Sequence, residues 1–241
     1  MKILAIDTSA LVATAALCDG EKPIAVYSQK SGLTHSQTML PIVKNIMDNT
    51  GTSIDDIDMI AVSEGPGSFT GIRIGIATVK GLAFGKNKIC VGVSTLEAMA
   101  RVIADFCTDA VICPVMDARR NQLYNAVFEI RGGKLLRICE DRMIEAPALA
   151  KELDTMDKPV YFIGDGYDIM ARMKLPYQKE TPAACRWQNG YGVAMAALAL
   201  YNETEDKSRF TDRMLRPEYL RLPQAERELR EKEAAQGNQK T

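Results

Sequence analysis

Hydrophobic residues along this chain switch repeatedly between a strand-like and a helix-like spacing. Residues 2–8 (Lys-Ile-Leu-Ala-Ile-Asp-Thr) form a near-continuous apolar run that ends in an acid, the pattern of a buried strand. Residues 12–18 and 23–28 predict two more strands, split by the turn signal Asp19-Gly20. From 36 to 49 the spacing lengthens. Met39, Ile42, Val43, Ile46 and Met47 recur at i, i+3, i+4, i+7 and i+8, which predicts a helix. Thr34 or Ser36 suits its N-cap, and Pro41 lies past the first turn, where a proline bends a helix. A strand at 58–63, a glycine-rich loop, a helix near 71–85 and a strand at 88–93 follow. Ser94 then caps a helix opening at Thr95.

The pattern restarts. Residues 111–117 (Val-Ile-Cys-Pro-Val-Met-Asp) are again an apolar strand ending in an acid. Residues 122–130 and 134–139 again predict hairpin strands, joined by Arg131-Gly132-Gly133. Asp7 and Asp117 thus hold equivalent places in two copies of a βββαβα unit, the layout of a two-lobed α/β protein with mixed sheets. A helix is expected at 145–157, a strand at 159–164 ending in Gly164-Asp165-Gly166, and a small-residue helix at 190–201. The expected division is lobe I at 1–100, lobe II at 101–201, and a return segment with a charged tail at 202–241, packing toward lobe I or partly disordered. In that tail Glu226 with Arg230, and Glu228 with Lys232, make i, i+4 pairs of the favourable order, so it can form a solvated helix.

Composition narrows the chemistry. The 241 residues are 46% hydrophobic, ample for a core, and 30 basic residues stand against 31 acidic ones. That balance lacks the basic footprint of a free-standing nucleic-acid binder. The six cysteines are scattered through apolar runs, as expected of reduced thiols rather than a disulfide framework. The N-terminus has no signal-like apolar region, and no run approaches the roughly 18 apolar residues of a membrane span. A cytoplasmic protein without a membrane partner is expected. The one histidine, His35, and the absence of any Cys-x-x-Cys exclude ordinary structural zinc sites and any two-histidine metal site. A Ser-His-Asp mechanism would have to use His35 as its base.

Residues 65–75 read Gly-Pro-Gly-Ser-Phe-Thr-Gly-Ile-Arg-Ile-Gly, after a strand and before a helix. Two readings stand: an anion cradle at a helix N-terminus, or a tight turn whose glycines let backbones pack closely. No Gly-Lys-Ser/Thr closes the loop, so it is not a Walker A loop, and it does not follow the first strand, so it is not a Rossmann fingerprint.

Together with this loop, Ala5-Ile6-Asp7-Thr8-Ser9, Gly92-Val-Ser-Thr-Leu96, Met116-Asp-Ala-Arg-Arg120 and Pro217-Glu-Tyr-Leu-Arg221 resemble the TsaB (YeaZ) family. The resemblance runs from residue 1 to about 222. It implies an actin/hexokinase-like (ASKHA) fold and a cytoplasmic bacterial protein. It also implies pairing with the catalytic homologue TsaD, cooperation with the ATPase TsaE, and a homodimer when the chain is alone. The complex transfers threonylcarbamoyl to the tRNA adenosine beside the anticodon, with tRNA contacted mainly through the complex.

The residues bear on whether this chain is itself an enzyme. TsaD holds a metal with a His-x-x-x-His pair on one helical face. Here that stretch is His35-Ser-Gln-Thr-Met39, and a thioether suits a hard metal site poorly. No catalytic residue, metal or cofactor is therefore expected, and a glycoprotease-like metallopeptidase meets the same objection. Gly-x-Ser-x-Gly is absent around Ser68. The alternative is a nucleotide-dependent small-molecule kinase of the same fold. Asp7 suits it, but the turn Thr8-Ser-Ala-Leu-Val12 has no glycine, and Gly164-Asp165-Gly166 reads equally as a nucleotide motif or a plain turn.

What remains is a surface for a partner. In the helix near 71–85, Ile72, Ile76 and Val79 share a face with Ala83, and Gly71 and Gly75 clear room for a neighbour at about 1 kcal/mol each relative to Ala. With Met39, Ile42, Val43, Ile46 and Met47 they make the expected partner interface, a four-helix bundle with a homologous chain. On that reading, Ile76→Glu or Val79→Glu breaks pairing and leaves the monomer folded. The competing reading turns both stripes toward the chain's own sheet.

Overall fold

The acid-terminated run Lys2–Asp7 forms β1, the middle strand of a five-stranded sheet in the computed structural model, which describes residues 1–221. β1 pairs antiparallel with β2 (Ala13–Asp19) and parallel with β4 (Met59–Gly65). β3 (Lys22–Gln29) and β5 (Ile89–Ser94) take the edges, giving the order β3-β2-β1-β4-β5. A second sheet repeats it. Its strands are β6 (Ala110–Asp117), β7 (Gln122–Arg131), β8 (Lys134–Glu145), β9 (Val160–Ile163) and β10 (Gln178–Lys179). They run β8-β7-β6-β9-β10, so β6 stands where β1 does and Asp117 ends it as Asp7 ends β1.

Alternation along β1 explains why it is apolar throughout. Leu4 and Ile6 face a layer built from α1 (His35–Thr50) and α2 (Phe69–Ala83). Ile3 and Ala5 face the opposite layer, α6 (Gly190–Glu203), through Val193, Ala194 and Ala197. Both faces are covered, so Ile3 through Ile6 are wholly buried.

The expected division put α6 in lobe II, within 101–201. Its packing is on the first sheet, because its small residues let it lie directly on β2. A side chain on Gly190 would collide with the backbone of Ala15 and Ala16, and the Gly190 N–H bonds the Thr14 hydroxyl at 3.0 Å. α3 (Thr95–Ala104) joins the lobes, its Ser94 cap accepting from the Glu97 N–H at 3.1 Å and its apolar face set against β6 and β7. α4 (Ala146–Leu153) is shorter than the expected 145–157, and α5 (Tyr167–Ala171) follows β9. α1 contains Pro41 without a break, opened by Thr34, whose N–H bonds the Gln37 side chain at 3.2 Å, and closed by Gly51 in the left-handed region.

After α6 the chain returns across lobe I. The Phe210 carbonyl accepts the Cys90 N–H at 3.1 Å, and Leu215 enters the core beneath α1 and α2. The pairs Glu226–Arg230 and Glu228–Lys232 lie outside the described residues. Among the described residues no helix is long and apolar enough to cross a membrane.

Candidate functional site

The ends of β1 and β6 face each other across an interlobe cleft of about 550 Å³. Asp7 is wholly buried and turned away from it. Its Oδ1 accepts the Ser9 N–H at 2.7 Å and the Ser9 hydroxyl at 2.6 Å, while Oδ2 accepts the Ser63 hydroxyl at 2.6 Å. Loss of hydration pushes its carboxyl above the usual range, opposed by these hydrogen bonds and by His35. The acid that suits a kinase metal site is spent here on joining the ends of β1 and β4.

The glycine-rich loop packs on the same corner. Gly65 and Gly67 hold φ of 137° and 157°, which favour glycine, with a cis peptide between Gly65 and Pro66. A Cβ on Gly67 or Gly71 would run into the backbone of Ser9 or Thr8. The Ser68 N–H, one candidate anion donor, bonds the Ser9 carbonyl at 2.7 Å, and the Ser68 hydroxyl caps α2 by accepting from Gly71 N–H at 3.2 Å. The tight-turn reading is therefore the one the chain adopts. Gly164-Asp165-Gly166 is likewise a brace: the Gly166 N–H bonds the Val115 carbonyl at 3.1 Å and Asp165 accepts the Asp117 N–H at 3.0 Å.

Pro217–Arg221 crosses the cleft as a strap. The Glu218 N–H bonds the Glu64 carbonyl at 2.7 Å, and the Tyr219 ring stacks on Phe69 with centroids 4.6 Å apart. Arg73 donates from Nε to the Tyr219 hydroxyl at 2.8 Å and lies 3.8 Å over the Phe69 ring. Arg221 reaches lobe II and donates to the Ala118 carbonyl at 2.7 Å. Beneath the strap, burial pushes the Glu64 carboxyl up to about 7, with the Glu218 charge adding and Arg209 opposing.

His35 and Met39 do not converge on one point. His35 Nε2 lies 2.6 Å from the Ala10 carbonyl, tying the first turn of α1 to the β1–β2 turn, and Met39 is in the core at 1% exposure. Among the described residues no three His, Cys, Asp or Glu side chains gather as a metal site requires.

The expected interface needs correction. Met39, Ile42, Val43, Ile46, Ile72, Ile76 and Val79 are at most 5% exposed and pack on the chain's own sheet. Gly71 and Gly75 admit Thr8 rather than a partner. The physical reason is that the periodic stripe of a helix on a sheet is the one that seals its own core. An outward apolar surface beside these helices is a groove between α1, the 3-10 turn Ile54–Asp56 and α2. Leu40, Pro41, Met47, Ile54 and Leu82 line it, and only Val43 and Met47 of the expected set border it. Leu40 is 54% exposed, and Phe84, just beyond Leu82, is 82% exposed. Sequence reading missed Leu40 and Leu82 because they fall off the stripe; being large, apolar and off it was the available signal.

The chain matches the family model described as TsaD: tRNA N6-adenosine threonylcarbamoyltransferase over residues 26–229. It is 31% identical over 228 residues to the tRNA threonylcarbamoyladenosine biosynthesis protein TsaB of Bacillus subtilis, covering 94% of this chain and 96% of that one. The chain belongs to the TsaB (YeaZ) family. Escherichia coli TsaB is 37% identical over 129 residues, 54% of this chain and 55% of that relative. A solved structure of YeaZ from Pseudomonas aeruginosa superposes with TM-score 0.73 at 22% identity, covering 91% of this chain and 99% of that one, a likeness of fold. EutJ from Carboxydothermus hydrogenoformans has a TM-score of 0.51 at 13% identity, covering 81% and 90%. The fold of this TsaB-family chain is the actin/hexokinase-like (ASKHA) one, with the duplicated sheets described above.

Proposed function

We propose that this chain is the non-catalytic subunit of a tRNA threonylcarbamoyladenosine-forming complex, pairing through the outer faces of α1 and α2 with a TsaD-like transferase. The observation that carries the reading is the apolar groove around Leu40, Met47, Ile54 and Leu82, in which Leu40 is exposed and the other three are half-buried against the core in the single chain. The chain itself matches the transferase family model over 26–229, so both proteins share the layout that builds this helix pair. Two such pairs meeting across an approximate twofold axis make a four-helix bundle. The same groove serves a homodimer when the chain is alone, and the two pairings exclude each other.

The chemistry belongs to the partner. In this chain the acid at the end of β1 is buried and fully bonded, and the strap spans the cleft. A TsaE-like ATPase completes the assembly, tRNA is engaged mainly by the complex, and the setting is the cytoplasm, consistent with six free cysteines.

The test mixes the chain with its TsaD-like partner and follows co-elution together with threonylcarbamoyl transfer to tRNA. Co-elution, with transfer only in the mixture, supports the reading. Transfer by this chain alone, or no complex, overturns it. Tight ATP binding that Asp7→Asn abolishes would favour the kinase reading instead.

A further inference from the structure

Among the described residues three arginines line the interlobe cleft at the strap, and Arg73 lies beside it against Phe69 and Tyr219. Arg119 and Arg120 sit on the β6–β7 turn, Arg73 on the first half of α2, and Arg221 at the end of the strap. Arg119, Arg120 and Asn121 hold consecutive left-handed conformations, with φ of 66°, 56° and 60°. This turn lifts both guanidinium groups into solvent, and the Arg119 side chain is 83% exposed.

Three carboxylates line the same cleft, Asp117, Asp165 and Glu218. Asp117 meets Arg119 only at 3.9 Å, having spent one oxygen on the Arg119 N–H at 2.7 Å. Asp165 is half-buried in the cleft wall, bonded to the Asp117 N–H. Glu218 is the exposed acid of the strap. Among the described residues Arg120 has no carboxylate within ion-pair distance, and Arg73 and Arg221 each direct one N–H to a neutral oxygen. With Arg73 beside the cleft, four arginines stand against these three carboxylates, an excess of one positive charge at the rim of a chain whose net charge is −1. Beside it lies the Phe69–Tyr219 stack with the Arg73 guanidinium 3.8 Å over the Phe69 ring, an aromatic and cationic surface next to the exposed arginines.

We infer that this rim is an RNA-contact surface: Arg119 and Arg120 engage phosphates, and the Arg73–Phe69–Tyr219 stack offers a platform to an unstacked base. Guanidinium groups bind phosphate oxygens through paired N–H donors, and aromatic or guanidinium planes take single-stranded bases. An acidic protein would satisfy the arginines but leave the aromatic platform without a purpose. Arg73 lies nine residues before Leu82, about 14 Å along α2, so the rim and the pairing groove are at different ends of the helix. The inference rests on the proposed role in tRNA modification and adds a direct contact from this subunit.

The experiment uses the assembled complex with the TsaD-like transferase and an unmodified tRNA substrate. In the double variant Arg119→Asn with Arg120→Asn, asparagine tolerates the left-handed backbone while the charges are removed. Expected are an unchanged melting temperature, unchanged co-elution with the transferase, and a several-fold loss of tRNA affinity. The slope of log affinity against log salt should fall by about 1.4–1.8, the release expected from two phosphates. Unchanged affinity and slope would overturn the inference. Loss of co-elution, with the assembled fraction binding tRNA as before, would also overturn it and make the rim a protein contact. Failure of the unsubstituted chain to co-elute would instead count against the proposed function, which separates the two.

Discussion

The Ser63 hydroxyl donates to the Asp7 carboxylate at 2.6 Å, joining the end of β1 to the end of β4 across 56 positions of sequence. With the Ser9 N–H and hydroxyl on the other oxygen, Asp7 is an acceptor for three buried donors. Its role is therefore structural, and the expected signature is loss of stability. Asp7→Ala should cost about 2–4 kcal/mol, because buried donors are left without an acceptor. Asp7→Asn, which keeps one acceptor oxygen, should cost less. Urea unfolding measures both, and an Asp7→Ala chain as stable as the unsubstituted one would contradict this role.

Glycines on α2 should separate by position. A methyl group on Gly71 meets the Thr8 carbonyl, whereas one on Gly81 meets nothing within 4 Å. Gly71→Ala is expected to destabilise by roughly 1–3 kcal/mol through overpacking. Gly81→Ala is expected to stabilise by up to about 1 kcal/mol through helix propensity. The two denaturation midpoints should move in opposite directions.

Glu64 gives a pH dependence of definite sign. Its carboxyl is raised to about 7 by burial, with Glu218 adding, so the folded chain holds this proton more tightly than the unfolded chain does. Its contribution to stability is present below the ordinary carboxylate range and is lost as pH rises through 7. Glu64→Gln should melt close to the unsubstituted chain at pH 4 and above it at pH 8. Thermal melts at the two pH values check this, and an equal shift at both would contradict it.

The duplicated sheets were legible because β-branched and apolar runs ending in Asp7 and Asp117 are local signals, as were the Ser94 cap and the stripe from Met39 to Met47. The place of α6 was not legible, since lying on β2 through Gly190 is a contact across 176 residues. Nor was the strap: Tyr219 meets Phe69 and Arg73 only after the chain has returned from lobe II. The outward groove was obscured by the very periodicity that revealed the helices, because core and partner surfaces are both apolar and only the core stripe is periodic.

That distinction sets the central measurement, the affinity for the TsaD-like transferase of Leu82→Glu and Leu40→Glu, set beside Ile76→Glu and followed by sedimentation and thermal melting. Leu82 and Leu40 line the outward groove, whereas Ile76 is 5% exposed within the core. Ile76→Glu is expected to unfold the chain by burying an unpaired charge, so it does not report on pairing. Leu40→Glu should melt like the unsubstituted chain and Leu82→Glu, half-buried against the core, somewhat below it, and both folded variants should lose at least roughly 30-fold in affinity, the scale of a hot-spot residue. Folded variants that bind the transferase with undiminished affinity would contradict pairing through this groove.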